Sequence, residues 1–136
     1  MKELTLKAKP ENLNKVLAFV DEELELQGCS VKTQMQIEVA VEELFVNIAS
    51  YAYAPEVGNA TLLLESTDSP HEIRITLMDE GVPYDPLKKE DPDVTLAADE
   101  RRIGGYGIYI VKKTMDDVIY EHKDGKNITM IIKSLE

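Results

Sequence analysis

The segment Val41-Glu-Glu-Leu-Phe-Val-Asn47 places two polar side chains on an otherwise apolar helix. The apolar stripe of that helix recurs at helical spacing and consists of Ile37, Val41, Leu44 and Ile48. Glu43 and Asn47 are one turn apart and therefore share a face. A glutamate can accept a proton, and an asparagine oxygen is a hard ligand that suits Mg²⁺. The pair is compatible with a metal site, and equally with an acidic helix surface that carries a chance asparagine.

A second polar feature follows the apolar run Ile75-Thr-Leu-Met78. Asp79 comes where this predicted strand ends, and Gly81 next to it permits a close approach by another group. A carboxylate at such a place can accept a hydrogen bond from the amino group of a nucleobase in an apolar pocket. The same Asp-Glu-Gly sequence also forms ordinary turns, so both interpretations stay open at this point.

A third feature is the glycine cluster Gly104-Gly-Tyr-Gly107, which holds three of the seven glycines of the chain. It precedes a predicted helix that runs to about Met115. Glycines before a helix expose backbone N–H groups, and a helix N-terminus favours an anion such as phosphate. The spacing matches neither the dinucleotide-binding fingerprint nor the Walker A loop. A flexible hinge in a surface loop is the alternative explanation.

The order of the predicted elements indicates the fold class. Leu4 and Leu6 suggest a first strand, and two helices follow, the first from Pro10 to Gly28 and the second from Ser30 to Tyr51. Then come strands at 60–66 and 72–79, a long loop at 80–103, a helix, and a hairpin with strands at 118–122 and 128–132. This order predicts an α+β two-layer sandwich, in which about three helices cover one mixed, mainly antiparallel sheet. The length of 136 residues predicts a single domain, 1–136.

Composition excludes several kinds of site. The net charge of −11, with basic residues scattered among acids, argues against direct binding of nucleic acid. The single cysteine, Cys29, excludes an internal disulfide and a cysteine-based zinc site. No apolar run approaches the roughly 18 residues of a membrane span, and the N-terminal segment has no apolar stretch typical of a signal peptide, which predicts a cytoplasmic protein without membrane contact. His71 and His122 are interpreted as surface residues of strands.

In combination, the three features resemble the ATP-binding domain shared by gyrase, MutL and sensor histidine kinases, the Bergerat-fold (GHKL) ATPases. The chain is most similar to the small bacterial anti-sigma-factor serine/threonine kinases. The resemblance extends from Pro10 to Ile132. It rests on the segments 41–47, 79–86 and 104–112, the last continuing into Met115-Asp-Asp-Val118.

The resemblance implies roles for individual residues. Asn47 would be the Mg²⁺ ligand, Glu43 the general base, and Asp79 the acceptor of the adenine amino group. The implied nucleotide-binding residues are Asn47, Tyr51, Asp79, Gly81, Gly104, Gly105, Tyr106 and Gly107, and residues 86–103 would form an ATP lid. The chain departs from the family pattern at two positions. Tyr51 stands where a histidine is common, and Pro83 replaces the second glycine of the adenine motif.

The resemblance also implies a function. The chain would use ATP and Mg²⁺ to phosphorylate a serine on an anti-anti-sigma (STAS-domain) partner, would bind a sigma factor, and would form a homodimer. Two other functions fit the same ligand set: a nucleotide-gated binding protein without phosphotransfer, and a catalytic module that serves a histidine phosphorelay in trans. Lys15 on the first helix falls where the family has a partner contact, although a solvated lysine explains it more simply.

Overall fold

A computed structural model describes residues 1–88 and 107–136 of the chain. The strands are β1 (Lys2–Lys7), β2 (Asn59–Asp68), β3 (His71–Asp79), β4 (Asp117–Lys123) and β5 (Lys126–Ser134), and the helices are α1 (Leu13–Gln27), α2 (Val31–Asn47) and α3 (Gly107–Thr114). Short 3₁₀ turns at Pro10–Asn12 and Pro86–Lys88 and a π-helical turn at Ile48–Ala52 complete the described elements. The predicted α+β class is confirmed.

The five strands form one sheet in the order β1-β2-β3-β5-β4, and each of its four pairings is antiparallel. β3 and β5 are therefore neighbours although α3 and β4 lie between them in sequence. Asp124 and Gly125 connect β4 to β5 with φ angles of 54° and 76°. Both values lie in the left-handed region that a two-residue hairpin turn needs, as Asp-Gly predicts.

Local sequence signals fix the ends of the first two helices. Gly28 ends α1 with a φ of 69° and donates its N–H to the carbonyls of Leu24 and Glu25, which is the left-handed C-terminal cap that glycine favours. Ser30 begins α2, where its side chain accepts a hydrogen bond from the N–H of Thr33 at 3.1 Å. The short link between the two caps keeps α1 and α2 antiparallel and adjacent.

The helices cover one face of the sheet, and the hydrophobic core lies between the two layers. Alternate residues of β3 point into this core, where Ile73, Ile75 and Leu77 are each 1% exposed. Opposite them, the largest fully buried helical side chains are Phe45, Leu24, Ile37, Val16, Val20 and Val41. The core thus holds α2 across the sheet and brings its C-terminal end close to the end of β3. No helix among the described residues is long and apolar enough to cross a membrane.

The end of α2 differs from the sequence prediction, which continued a regular helix to Tyr51. The α-helix ends at Asn47, and the wider π-helical turn Ile48–Ala52 follows. This turn brings the carbonyl of Ala52 within 2.9 Å of the N–H of Val82, so it ties the end of α2 to the segment after β3. Turns of this type occur frequently at functional sites.

Candidate functional site

A pocket opens where the end of α2 meets the ends of β3 and β5. Together with the open solvent that adjoins it, the pocket has an empty volume of about 440 Å³. The apolar part of the lining consists of Leu44, Ile48, Ala52, Leu77, Val82 and Pro86, and the polar part of Asn47, Tyr51, Asp79, Tyr84, Asn127 and Thr129. Three of the predicted site residues, Asn47, Tyr51 and Asp79, therefore lie around one pocket.

Asp79 is buried, with 7% of its surface exposed. Its Oδ1 accepts two hydrogen bonds of 2.9 Å, one from the N–H of Gly81 and one from the side-chain amide of Asn127. Within residues 1–88 and 107–136, no protein group donates to the second oxygen, Oδ2. A buried carboxylate oxygen ordinarily has a hydrogen-bond partner, so Oδ2 is the natural acceptor for a donor on a ligand in this pocket.

Asn127 holds this carboxylate in place, and the sequence analysis did not identify it. It is the partner of Asp79 in the β3–β5 register and is only 5% exposed. A signal was present: Asn127 and Thr129 alternate with Ile128 and share the face of the buried Ile131. An asparagine on the core-facing side of a strand requires hydrogen-bond partners, and here these partners belong to the pocket.

Thr129 is a second residue that the sequence analysis missed. It pairs with Leu77 in the register of β3 and β5, is 9% exposed, and lines the same pocket two residues beyond Asn127. Its hydroxyl adds a further hydrogen-bonding group to the polar part of the lining. The pocket therefore combines apolar walls with a set of polar groups that can orient a small molecule.

Gly81 lies directly against the backbone of the π-helical turn. A Cβ atom at this position would overlap the carbonyl group and the Cβ of Ala52. The neighbouring Tyr53 hydroxyl donates to the carbonyl of Asn59 at 2.6 Å and accepts the N–H of Glu80 at 2.7 Å. Only glycine at position 81 allows the segment after β3 to pack this closely on the end of α2.

Glu43 and Asn47 project from the last two turns of α2 and are both partly buried. Asn47 lines the pocket, whereas Glu43 lies beside it against Gly107, the first residue of α3. A Cβ atom on Gly107 would overlap the carboxylate of Glu43. The structure thus brings one predicted glycine to the predicted base. Gly104, Gly105 and Tyr106, and the predicted lid beyond Lys88, lie outside the described residues.

Tyr84 and Tyr51 stand at the mouth of the pocket. Burial raises the pKa of the Tyr84 hydroxyl, and nearby Tyr51, Glu43 and Asp85 raise that pKa further. Tyr84 therefore stays protonated at neutral pH and lies within electrostatic range of Glu43. Tyr51 is 63% exposed and lines the pocket, so a ligand there can contact its side chain. Neither Tyr84 nor its position could be assigned from sequence, because it follows the strand in an irregular segment.

The described residues contain no cluster of three or more histidine, cysteine or acidic side chains that could hold a metal ion. Asn47, the predicted cation ligand, lines the pocket, and a cation bound there would need further oxygen atoms from a ligand or from water. Mg²⁺ suits that arrangement, since it retains waters and often binds with one or two protein ligands together with phosphates.

Comparisons with known proteins identify the family and the fold. The family described as histidine kinase-like ATPase domain matches residues 6–133. The serine/threonine-protein kinase BtrW of Bordetella bronchiseptica is 26% identical over 99 residues, which are 72% of this chain and 68% of that kinase. The serine-protein kinase RsbW of Listeria monocytogenes is 27% identical over 132 residues, 93% of this chain and 83% of the kinase. A match to RsbW of Bacillus cereus spans only 60% of that kinase.

Two solved structures share the fold. The structure of the RsbU and RsbW domains of Rv1364c from Mycobacterium tuberculosis has a TM-score of 0.65 at 16% identity, over 99% of this chain and 33% of that one. The histidine kinase domain of a blue-light activated kinase from Erythrobacter litoralis has a TM-score of 0.55 at 18% identity, over 90% and 61% of the two chains. The pocket, the sheet and the sequence match lead to one conclusion: this chain belongs to the histidine kinase-like ATPase domain family.

Proposed function

We propose that residues 1–136 form a single ATP-binding domain that acts as a serine-protein kinase. Its substrate would be a serine on an anti-anti-sigma (STAS-domain) protein, and it would also bind a sigma factor. Membership of the ATPase family supports the use of ATP. The names of the relatives from Bordetella and Listeria support transfer to a serine or threonine. A cytoplasmic location and a homodimer belong to the same proposal.

The observation that carries the proposal is the open Oδ2 of the buried Asp79. A carboxylate oxygen accepts hydrogen bonds and donates none, so the pocket favours a base with an amino group at its inner edge. Adenine has such a group at position 6 of its ring, whereas guanine and hypoxanthine carry at position 6 an oxygen that the carboxylate would repel. The apolar walls formed by Ile48, Leu77 and Val82 suit the two faces of a purine ring.

Asn47 is the residue of α2 that fits Mg²⁺, since it lines the pocket and its amide oxygen is a hard ligand. Bound ATP and Mg²⁺ would supply the transferable phosphoryl group and neutralise its charge. That neutralisation has particular weight for a chain of net charge −11. Gly107, the last residue of the glycine cluster, is the first residue of α3, and the N-terminus of a helix favours a phosphate.

Glu43 is proposed as the general base. It lies one turn before Asn47 on α2, on the side of the pocket that faces α3. As the serine oxygen forms its bond to phosphorus and the bond to the leaving ADP oxygen breaks, the hydroxyl proton would pass to the Glu43 carboxylate. The partner must therefore present its serine at the junction of α2 and α3.

Two measurements test this function. Calorimetric titration with ATP and Mg²⁺ should show binding by the native chain and at least about tenfold weaker binding by Asn47→Ala, which loses a charge-assisted contact. Transfer of the labelled γ-phosphate to a STAS-domain protein should fall about 100-fold or more in Glu43→Gln. The neighbouring exposed Glu42, changed to glutamine, is the matched control and should keep the native rate.

Each outcome separates the candidate functions. No affinity of the native chain for ATP would overturn the proposal as a whole. Binding without transfer to any tested partner would favour the nucleotide-gated binding protein instead. An acid-labile phosphohistidine on a partner, in place of an acid-stable phosphoserine, would favour the phosphorelay module.

A further inference from the structure

We propose that Asn127 is the positioning residue that makes this pocket selective for a purine with a 6-amino group. It acts through Asp79 and through the pocket wall Val82–Tyr84 rather than by touching the ligand. This inference rests on the proposed binding of ATP, and it concerns a residue for which neither the family match nor the sequence motifs suggest a role.

Neighbouring protein groups use all the hydrogen-bonding positions of the Asn127 carboxamide. Its Nδ2 donates to Asp79 Oδ1 and to the carbonyl of Val82, both at 2.9 Å. Its Oδ1 accepts the N–H of Tyr84 at 3.2 Å and the hydroxyl of Tyr120. A side-chain amide has two donor hydrogens and one oxygen with two lone pairs, so each of its bonding positions is used.

This pattern also determines which way the amide faces. With the amide reversed, its oxygen would point at the carboxylate of Asp79 and its NH₂ group at the N–H of Tyr84. The first contact would then pair two acceptors and the second two donors. The observed orientation is therefore the only one that satisfies the acceptor on β3 and the donor at Tyr84 together. The side chain is 5% exposed, so water offers little competition.

The consequence for Asp79 is a fixed carboxylate plane. The terminal torsion of an aspartate is broad and holds little orientation by itself. Two donors on Oδ1, the Gly81 N–H and the Asn127 amide, oppose rotation and leave Oδ2, among the described residues, as the oxygen available to a ligand in the pocket that Asp79 lines. Without Asn127 one donor remains, and the two oxygens can exchange places or tilt. A tilted acceptor discriminates poorly between an amino group and an oxygen at the same position of a purine.

The consequence for the wall is a fixed position of Tyr84. Asn127 holds the carbonyl of Val82 and the N–H of Tyr84 at the same time, and thereby holds the segment between them. Tyr84 and Ile48 both line the pocket. Loss of the amide would release the wall together with the acceptor, so that ring stacking and base selection would weaken in the same variant.

The test compares the affinities of the intact chain for ATP and for ITP, in which an oxygen replaces the 6-amino group. The native chain should prefer ATP about 100-fold or more, because a site built around a hydrogen bond rejects an analogue that cannot make it. In Asn127→Ala this ratio should fall to about tenfold or less, the scale of one charge-assisted hydrogen bond. The loss should fall mainly on ATP, with a much smaller change for ITP.

A matched control separates positioning from simple stabilisation. Asn12 is likewise a buried asparagine, 8% exposed, and its amide donates to the carbonyl of Lys7 at 2.8 Å outside the pocket lining. Asn12→Ala should lower the urea midpoint but keep the native ratio of ATP to ITP affinity. If Asn127→Ala does not fold, Asn127→Thr, which suits a strand, should fold and show the same reduced ratio.

The outcomes distinguish this inference from the function on which it rests. Native discrimination together with an unchanged ratio in Asn127→Ala or Asn127→Thr would overturn the role of Asn127 and leave the proposed function intact. A native chain that binds neither nucleotide would overturn both. A ratio that collapses in the Asn127 variants and stays native in Asn12→Ala would establish the positioning role.

Discussion

Gly107, the first residue of α3, lies directly against the carboxylate of Glu43 on α2, and a single added carbon at Gly107 would occupy the position of that carboxylate. The contact joins two segments that are 64 positions apart in the sequence. It sets the location of the proposed base by packing, so the chemistry at Glu43 should depend on the absence of a side chain at position 107.

Gly107→Ala should therefore impair phosphotransfer with little effect on folding. The overlapping atoms belong to the end of a flexible side chain, which can move aside at small cost, while alanine suits a helix better than glycine. A displacement of the base by about 1 Å is expected to lower the rate of transfer about 10- to 100-fold. Initial rates with a STAS-domain partner and urea unfolding of the same samples measure the two effects.

Gly28→Ala is the opposite control. Gly28 has a φ of 69° and open space around its Cα, so an alanine there meets no neighbour but adopts a strained backbone. We expect a loss of about 1 kcal/mol in the free energy of unfolding. Under conditions in which the variant stays folded, its rate of phosphotransfer should equal that of the native chain. A native rate in Gly107→Ala would show that the contact with Glu43 has no catalytic consequence.

Gly81→Ala should damage both folding and binding, because its neighbour is backbone. The added carbon would overlap the carbonyl of Ala52, which already accepts the N–H of Val82 at 2.9 Å. Neither the backbone at position 81 nor the carbonyl of Ala52 can move away without loss of that hydrogen bond. A decrease of about 1–3 kcal/mol in the free energy of unfolding is expected, together with at least about tenfold weaker binding of ATP. Native affinity in this variant would contradict the proposed wall of the pocket.

The sequence predicted those parts of the fold that depend on local signals. Gly28 and Ser30 identified the ends of the first two helices, Asp124-Gly125 identified the hairpin, and the alternation in β3 identified the residues that face the core. Each of these signals acts over a few residues and needs no knowledge of the partner strand. The family resemblance also predicted that three segments surround one ligand, and among the described residues Asn47 and Asp79 line one pocket while Gly107 lies against Glu43.

The sequence could not predict contacts that arise from the order of the strands. β3 pairs with β5, which is not the next strand in the chain, so the pairing of Asp79 with Asn127 depends on a register that no local signal fixes. The π-helical turn at Ile48–Ala52 was also missed, because the same residues fit a regular helix equally well. The contacts of Asn127 with Val82 and Tyr84 follow from those two features and were missed for the same reason.

Asp79→Asn should change the selectivity of the pocket. The new amide can keep its oxygen toward Gly81 and Asn127, as Asp79 Oδ1 is held now, and it then presents an NH₂ group where Oδ2 was. That group repels the adenine amino group and can donate to the oxygen of ITP. We expect ATP affinity to fall at least about tenfold and ITP affinity to rise relative to it, as calorimetric titration can measure.

The adjacent Glu80 supplies the control for this substitution. Its side chain is exposed, and its described hydrogen bond is made by the backbone N–H to Tyr53. Glu80→Gln removes the same charge one residue away and should leave both affinities native. Equal losses of ATP affinity in the two variants would mean that local negative charge, rather than the open oxygen of Asp79, governs binding.

Glu38→Gln should stabilise the protein at neutral pH. Burial raises the pKa of Glu38, and a hydrogen bond shared with Asp21 and the negative charges of Asp21 and Glu25 raise it further. A carboxyl group with a raised pKa in the folded state favours folding below its unfolded pKa of about 4.5, and that contribution is lost as the pH rises through the folded-state value. At pH 7 Glu38 therefore opposes folding, whereas a glutamine at this position does not. Urea unfolding should show a gain of about 0.5 kcal/mol in the free energy of unfolding at pH 7, the scale of one like-charge pair, and no gain near pH 4.

The control is Glu42→Gln, an exposed position one turn further along α2. It measures the effect of removing one negative charge from the same helix. An equal gain in both variants would show that the Glu38–Asp21 contact has no specific effect on the free energy of unfolding.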